Sequence, residues 1–220
     1  THFDDYMDLQ EGKNLPVVHC VKDTDGWELI PALETIRKEK NCRCFDKPTF
    51  GSTELAETLK KEYDAFWTKE RKAKAQEQGL TPMQVSIMAS IVSGETLKAF
   101  EYPIIAGAYL NRYRKGMKLQ ADPTVCFCFD YKLDRVLKKH LTVDSPYNTY
   151  KYVGLPPAPI NVPPKACLDA VLNPERHNYI YFCASPAFDG THRFAATYSE
   201  HMKNARAFQR ELTARRKAKK

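Results

Sequence analysis

The chain has 220 residues, of which 43% are hydrophobic and 28% are charged, and its formal net charge is +7. This length suits one sizeable core, or a domain with a smaller partner, and no apolar run approaches the roughly 18 residues of a transmembrane helix. The charge suits nucleic acid, an anionic membrane or an anionic polymer equally well. The seven cysteines are an odd number, which excludes complete pairing within one chain. Neither close pair has the Cys-x-x-Cys spacing of a zinc knuckle, so we predict no metal site; the pairs are Cys42 with Cys44 and Cys126 with Cys128.

Residues 1–52 show the least clear pattern of apolar and polar residues in the chain. Residues 23–26 are typical of a turn, and apolar residues then recur at helical spacing from Trp27 to Ile36, where a polar run follows. We predict one short helix with loops in this segment.

A long helix is predicted next, over residues 53–78. Leu55, Leu59 and Tyr63 mark one apolar face of it, and Gly79 ends it. We expect this helix to pack as a hairpin against the helix that follows.

The following helix has the best-defined start in the chain. Thr81 is a good N-cap, Pro82 fits the first helical position, and Gln84 completes a capping box. The residues from 85 to 92 are apolar around most of the circumference, which indicates a buried helix. Glu95 follows at its end, on the face of the apolar stripe. Because desolvation raises the pKa of a carboxyl group, Glu95 could act as a general acid near neutral pH.

A third helix is predicted from Pro103 to Gly116, with the polar pair Asn111 and Arg112 near its end. Arg112 could serve function or merely cap the helix. Residues 119–129 alternate polar and apolar side chains and predict an extended segment, with three polar residues on one face: Gln120, Asp122 and Thr124. Asp122 could contribute to a site or only form a turn.

The remaining segments predict short elements. Residues 131–141 predict a helix, the proline-rich residues 154–164 a stiff rim for an extended ligand, and residues 166–172 another helix. Residues 179–184 predict a strand, joined by an Asp-Gly turn to a hairpin partner at 191–194 that contains His192. This His could face a site or stabilise the hairpin. A closing helix over 199–212 and a solvated basic tail over 214–220 complete an α+β fold, in which the helical hairpin carrying Glu95 packs against a small antiparallel sheet.

Several blocks of sequence resemble the endolytic murein transglycosylase family, also called YceG-like. The first is Ala-Ser-Ile-Val-Ser-Gly-Glu-Thr at residues 89–96, and the others follow in the order and spacing of the family. They are residues 111–112, 115–124, 145–150, 154–160, 166–174, 179–182 and 192–201. The resemblance covers about residues 53–213, which we expect to form the catalytic domain, with 1–52 as a remnant or a divergent LysM-like module.

The resemblance implies a function and a setting. Glu95 matches the essential acid of the family, while Ser93 occupies a position where many members carry a second Glu. Full-length relatives have an N-terminal membrane anchor, so we expect the extracytoplasmic face of the bacterial cytoplasmic membrane, through an anchor that is missing from this chain. Peptidoglycan glycan strands are the expected substrate and cell-wall synthases the expected partners, with no nucleic acid and no cofactor.

The expected reaction needs one carboxyl group. Glu95 would protonate the glycosidic oxygen between N-acetylmuramic acid and N-acetylglucosamine, and the C6 hydroxyl of the muramic acid would then attack C1 to give a 1,6-anhydro end. Such a cut would terminate or release nascent strands. The residues expected to bind sugar or to brace Glu95 are Asn111, Arg112, Gln120, Asp122, Thr124, Tyr147, Asn148, Thr149, Tyr150 and His192.

Three alternatives remain at this stage. A muramidase-type hydrolase would use Asp122 as its second carboxylate. A glycan-binding protein would leave Glu95 inert. A nucleic-acid binder has only the net charge in its favour.

Overall fold

The structure is a computed structural model, and it describes residues 31–40 and 53–218. The chain divides into two units, Thr1–Thr68 and Lys69–Lys220. In the first unit the described elements are helices α1 (Pro31–Glu39) and α2 (Thr53–Phe66). Helix α1 overlaps the helix predicted from the apolar pattern, while the predicted turn at residues 23–26 and the cysteine pair at 42–44 lie outside the described residues.

The single helix predicted over residues 53–78 is wrong, because the chain breaks between α2 and α3 (Lys69–Glu77). Phe66 and Trp67 are both buried, at 9% and 4% exposure, and their rings pack edge to face at 5.2 Å. Consecutive residues point about 100° apart on a helix, so a break lets two adjacent large rings be buried together.

Helix α4 (Pro82–Glu95) forms the centre of the second unit and confirms the predicted start. Thr81 and Gln84 form the reciprocal capping box, with N–H to side-chain oxygen distances of 2.8 and 3.2 Å. Its apolar residues between positions 85 and 92 are 0–4% exposed, and they are Val85, Ile87, Met88, Ala89, Ile91 and Val92. Within the second unit, α3 contacts α4, as expected for the C-terminal part of the predicted hairpin.

Two more helices pack on α4. Helix α5 (Tyr102–Arg114) follows a 3-10 turn at Ala99–Glu101, and helix α7 (Lys165–Leu172) contacts both α4 and α5. The proline-rich segment between them docks on α4: the Ile160 N–H donates to Ser90 Oγ at 3.0 Å, and Ser93 Oγ donates to Asn161 Oδ1 at 2.9 Å. This segment therefore supports the central helix.

The extended segment predicted over residues 119–129 is wrong. Helix α6 (Asp122–Phe127) occupies it, with Ala121 as N-cap and Pro123 in the first turn. Proline suits the first turn of a helix as well as a strand end, so the local signal was ambiguous. The polar residues do not share a face, because Thr124 is fully buried whereas Gln120 and Asp122 are exposed.

The helix predicted over residues 131–141 is present only as a 3-10 turn at Lys138–Thr142. Asp130 and Tyr131 have φ of 52° and 56°, a left-handed backbone that interrupts any continuous helix at this point.

The sheet has two antiparallel strands, β1 (Tyr181–Ala184) and β2 (His192–Ala195), paired from Tyr181 with Ala195 to Ala184 with His192. Helix α8 (Tyr198–Ala218) packs on both strands and runs six residues past its predicted end, so the basic residues 214–218 are helical. The predicted α+β class is confirmed.

No helix within residues 31–40 and 53–218 is long and apolar enough to cross a membrane.

Candidate active site

A cavity of about 530 Å³ opens where the end of α4 meets α5, the start of α6 and the sheet. It is open to solvent on one side and mixes polar and aromatic walls. Six of its lining residues are among those expected to bind sugar or catalyse: Glu95, Arg112, Gln120, Asp122, Tyr150 and His192. The others are Tyr109, Leu119, Ile180, Tyr181, Phe182, Cys183, Ala184 and His201.

Glu95 is the last residue of α4, and its half-buried carboxyl group faces this cavity. The pKa of Glu95 is raised from about 4.5 to about 7. Burial raises it most, the hydrogen bond from Tyr109 acts in the opposite direction, and the negative charge of Asp122 adds to the increase. A carboxyl group with this pKa can both give and take a proton near neutral pH.

Tyr109 is the main residue of the site that the sequence interpretation left out. Its hydroxyl donates to Glu95 Oε1, and its ring packs edge to face on Phe182 at 5.5 Å. Burial, together with the charge of Glu95, holds the pKa of Tyr109 well above its ordinary value, so the phenol stays protonated. Tyr109 falls within the helix predicted from Pro103 to Gly116, and the sequence interpretation gave it no role in the site.

Gly94 lets α6 approach the end of α4. A Cβ atom at this position would lie 2.7 Å from Pro123 Cβ, which is closer than side-chain atoms approach each other. This contact brings Asp122, the first residue of α6, to the cavity beside Glu95. Tyr150 then donates to Asp122 Oδ1 at 2.5 Å.

Replacing Gly94 with Ala is expected to lower the free energy of unfolding by about 1–3 kcal/mol, because the new methyl group overlaps Pro123. Thermal unfolding of Gly94→Ala, of Pro123→Gly and of the double variant Gly94→Ala/Pro123→Gly measures this cost. Gly94→Ala should cost less when residue 123 is glycine, since glycine lacks both Pro123 atoms, Cβ and Cγ, that the new methyl group would meet. An unchanged unfolding temperature in Gly94→Ala would contradict the close contact.

Arg112 is buried and serves as a clamp. It donates to the carbonyl oxygens of Lys118, at 3.0 and 2.7 Å, and of Ile180, at 2.8 Å. It also donates to Gln120 Oε1 at 2.7 Å. Gln120 has a left-handed backbone with φ of 53°, a conformation that costs free energy for any residue but glycine and that the Arg112 clamp helps to maintain. With its Oε1 engaged, Gln120 can present its amide N–H groups to the cavity.

Three of the expected site residues brace the site from behind and do not line the cavity. Thr149 Oγ1 accepts from the Ala121 N–H at 3.0 Å and lies 2.9 Å from Thr124 Oγ1. Asn148 donates to the carbonyl oxygens of Leu141 and Val143, at 3.0 and 2.8 Å. All three side chains are buried, so they fix the segments that carry Gln120, Asp122 and Tyr150.

Two other expected residues lie away from the cavity. Asn111 donates to the carbonyl oxygens of His177 and Tyr179, at 2.8 and 3.0 Å, and lines a different cleft. Tyr147 packs its ring against Phe127 at 4.6 Å. The structure therefore gives both residues packing contacts.

Two histidines line the cavity, His192 on strand β2 and His201 on helix α8. His192 Nδ1 lies 3.0 Å from a carboxyl oxygen of the buried Glu101. His201 stacks on Tyr181 at 5.3 Å, and burial and the charge of Arg112 lower its pKa. His201 lies in the last block of the sequence resemblance, and only its spacing from His192 could have suggested a shared wall.

Within the described parts of the chain, no group of three His, Cys, Asp or Glu side chains could hold a metal ion. The four described cysteines are free thiols, and they are Cys126, Cys128, Cys167 and Cys183.

Comparison with known proteins gives a consistent result. The YceG-like family matches residues 46–207. The chain is 33% identical over 159 residues to a Bacillus subtilis protein named endolytic murein transglycosylase, covering 72% of this chain and 43% of that protein. It is 28% identical over 132 residues to a Streptococcus pneumoniae protein of the same name, covering 58% of this chain and 24% of that one. The chain thus spans less than half the length of these relatives.

A solved structure is also similar. The crystal structure of a YceG-like protein from Listeria monocytogenes superposes with a TM-score of 0.62 at 33% sequence identity, over 72% of this chain and 50% of that one. The family match covers well over half of the chain, and the predicted resemblance is confirmed. The chain belongs to the YceG-like family.

Proposed function

We propose that this chain is an endolytic peptidoglycan lytic transglycosylase, a lyase that cuts the bond between N-acetylmuramic acid and N-acetylglucosamine and leaves a 1,6-anhydro end. The observation that carries the proposal is the placement of Glu95, a carboxyl group with a pKa of about 7 at the wall of an open cavity. Curated relatives named endolytic murein transglycosylase support the substrate class.

Glu95 does both proton transfers in the proposed reaction. Its neutral form gives a proton to the glycosidic oxygen as the bond from that oxygen to C1 breaks. The resulting carboxylate, held by the Tyr109 hydroxyl, then takes the proton of the C6 hydroxyl, and the C6 oxygen forms the new bond to C1. No water enters the product, and Glu95 regains its proton for the next cycle.

The other polar groups of the cavity position the sugar. Gln120 offers amide N–H groups, and the paired Tyr150 and Asp122 offer oxygen atoms that can accept from sugar hydroxyls. The aromatic wall of Tyr181 and Phe182 gives apolar faces on which a sugar ring can stack. Positioning of this kind lowers the barrier by holding the C6 hydroxyl near C1.

A muramidase-type hydrolase is the second candidate, because Asp122 lines the same cavity and acts on the pKa of Glu95. In that reaction Asp122 would act as base or nucleophile, and water would enter the product. The hydrogen bond from Tyr150 to Asp122 engages one oxygen of this carboxylate, which favours a supporting role for Asp122.

Mass spectrometry of digested glycan strands separates the two reactions. The lyase gives 1,6-anhydro ends, whereas hydrolysis gives reducing ends about 18 Da heavier, the mass of one water. We expect every cleaved end in the digest to be the lighter 1,6-anhydro end. Ends that carry the extra 18 Da would show that the protein is a hydrolase.

We also propose that the protein acts at the extracytoplasmic face of the bacterial cytoplasmic membrane, together with cell-wall synthases, where it terminates or releases nascent strands. Cutting within a strand suits a cavity that is open at its surface, since a long polymer can lie across it. Affinity purification of the full-length protein from membranes tests the association with synthases.

A further inference from the structure

Glu101 is a third carboxyl group near the cavity, in contact with the lining residue His192, and the reaction described above gives it no role. It lies at the end of the 3-10 turn before α5 and is only 2% exposed. Burial of a carboxylate costs free energy unless its oxygen atoms accept hydrogen bonds. The side chains and backbone groups that hydrogen-bond to Glu101 are therefore the groups that this carboxylate holds in place.

Two donors and one ring nitrogen meet at the Glu101 carboxylate. Thr96 Oγ1 donates to Oε2 at 2.9 Å, the His192 backbone N–H donates to Oε1 at 2.7 Å, and His192 Nδ1 lies 3.0 Å from Oε2. Thr96 directly follows Glu95, and His192 is the first residue of β2. Glu101 thus joins the end of the helix that carries the acid to the strand that forms another wall of the cavity.

This arrangement fixes the tautomer of His192. The Thr96 hydroxyl and the His192 backbone N–H both donate to Glu101, and a carboxylate can only accept, so the remaining partner, Nδ1, carries the hydrogen. A neutral imidazole then has its lone pair on Nε2. The ring also packs edge to face on Phe182, at 5.5 Å and 90°, which restricts its rotation.

The second ring nitrogen is available to a ligand. His192 lines the same cavity as Glu95, and among the described residues no hydrogen bond reaches its Nε2 atom. The buried side-chain atom without a partner in this part of the chain is His201 Nδ1, not His192 Nε2. Nε2 is therefore the atom through which His192, a residue of the cavity wall, can accept a hydrogen bond from a ligand.

We propose that Glu101 is a positioning residue, which holds His192 so that Nε2 accepts a hydrogen bond from a saccharide hydroxyl bound beside Glu95. This inference rests on the proposed function, because it takes the ligand to be a glycan. Because the direction of this acceptor is fixed, it binds a hydroxyl group at one position of the sugar. The hydrogen bond therefore sets the orientation of the sugar relative to Glu95.

Glu101→Gln inverts the polarity of Nε2 with little change of shape. The amide oxygen still accepts from the His192 N–H, while the amide nitrogen meets Nδ1 and donates to it, so the imidazole hydrogen moves to Nε2. Nitrogen-15 NMR of labelled protein reads the tautomer directly and does not depend on activity. We expect hydrogen on Nδ1 in the wild type, hydrogen on Nε2 in the variant, and strand cleavage reduced about 10- to 100-fold.

His192→Asn separates the contact to Glu101 from the contact to the ligand. The Asn amide nitrogen can take the place of Nδ1 and keep its bond to Glu101, but nothing remains at the position of Nε2. We expect an unfolding temperature close to that of the wild type and a similar loss of cleavage. The double variant Glu101→Gln/His192→Asn should lose little more cleavage activity than His192→Asn alone, because Glu101 acts through His192. Glu77→Gln, at an exposed site on α3, is the matched control and should keep wild-type activity.

Three results would overturn the inference while the proposed function stands. The first is an imidazole hydrogen on Nε2 of His192 in the wild type. The second is a folded His192→Asn variant that cleaves strands at the wild-type rate. The third is a double variant whose fold-loss of cleavage equals the product of the losses of the two single variants. If Glu101→Gln does not fold, the wild-type spectrum and His192→Asn decide the matter by themselves. A wild-type protein that leaves purified glycan strands intact would instead remove the proposed function, and this inference with it.

Discussion

Glu95→Gln is expected to reduce cleavage of purified glycan strands about 10²- to 10⁴-fold, the contribution of a general acid. Glutamine has the shape of glutamate and can still accept from the Tyr109 hydroxyl, but it has no proton to give to the glycosidic oxygen. Release of soluble fragments from the strands measures the loss, and sedimentation with insoluble peptidoglycan measures binding, which should stay near the wild-type level.

The matched control for this substitution is again Glu77→Gln, which removes one negative charge from an exposed helix and should leave cleavage unchanged. An active Glu95→Gln variant would exclude Glu95 as the acid. A wild-type protein that binds strands without cutting them, with Glu95→Gln indistinguishable from it, would identify a glycan-binding protein.

Cleavage is expected to decrease about tenfold per pH unit above pH 7, because only the neutral form of Glu95 can donate a proton. Its pKa of about 7 is the result of opposing contributions, since burial and the charge of Asp122 raise it and the Tyr109 hydrogen bond lowers it. Two substitutions should therefore shift the alkaline limb of the pH profile in opposite directions.

Tyr109→Phe removes the hydrogen bond that favours the carboxylate, so the pKa of Glu95 should increase and the limb should move to higher pH. Asp122→Asn removes a negative charge, so the pKa should decrease and the limb should move to lower pH. Cleavage rates between pH 5 and pH 9 for the three proteins measure these shifts. If Tyr109→Phe and Asp122→Asn shift the alkaline limb of the pH profile equally and in the same direction, that limb reports the titration of a group other than Glu95.

The part of the fold that the sequence predicts best is the part that local interactions determine. The Thr81 capping box, the proline at the first helical position and the apolar circumference of α4 are all readable within 15 residues. Because these signals define where α4 starts and how it is buried, they also place Glu95 at its end, where the structure has it.

Elements that depend on distant contacts were predicted less well. Pro123 suits an extended segment or a helix start, and the bond between Thr124 and Thr149 decides in favour of α6. That bond joins residues 25 positions apart, and no local pattern reports it. The break after α2 likewise follows from burial of the adjacent rings of Phe66 and Trp67.

The residues of the site divide in the same way, into those that the local sequence predicts and those that only distant contacts bring together. Gln120, Asp122 and Tyr150 were expected at the site, and they line the cavity with Glu95. Tyr109 was not expected at the site, since its hydroxyl reaches Glu95 only once α4 and α5 are packed together. The contact between Glu101 and His192 spans 91 positions, so only the folded chain brings the pair together.

The net charge is a poor guide to function in this chain. Four of its basic residues, Arg112, Arg71, Lys151 and Arg215, are engaged in hydrogen bonds or ion pairs within the described structure. The cation that lines the cavity, Arg112, is directed at carbonyl and amide oxygens. We therefore give the charge no part in substrate choice.

Direct titration of the Glu95 carboxyl group tests the central claim most closely. Carbon-13 NMR of protein labelled at the glutamate side-chain carboxyl carbon follows each Glu through its pKa, and the spectrum of Glu95→Gln identifies the Glu95 signal by its absence. We predict a midpoint near pH 7 for Glu95. A midpoint near its ordinary value of about 4.5 would mean that the group is ionised at neutral pH and cannot serve as the acid.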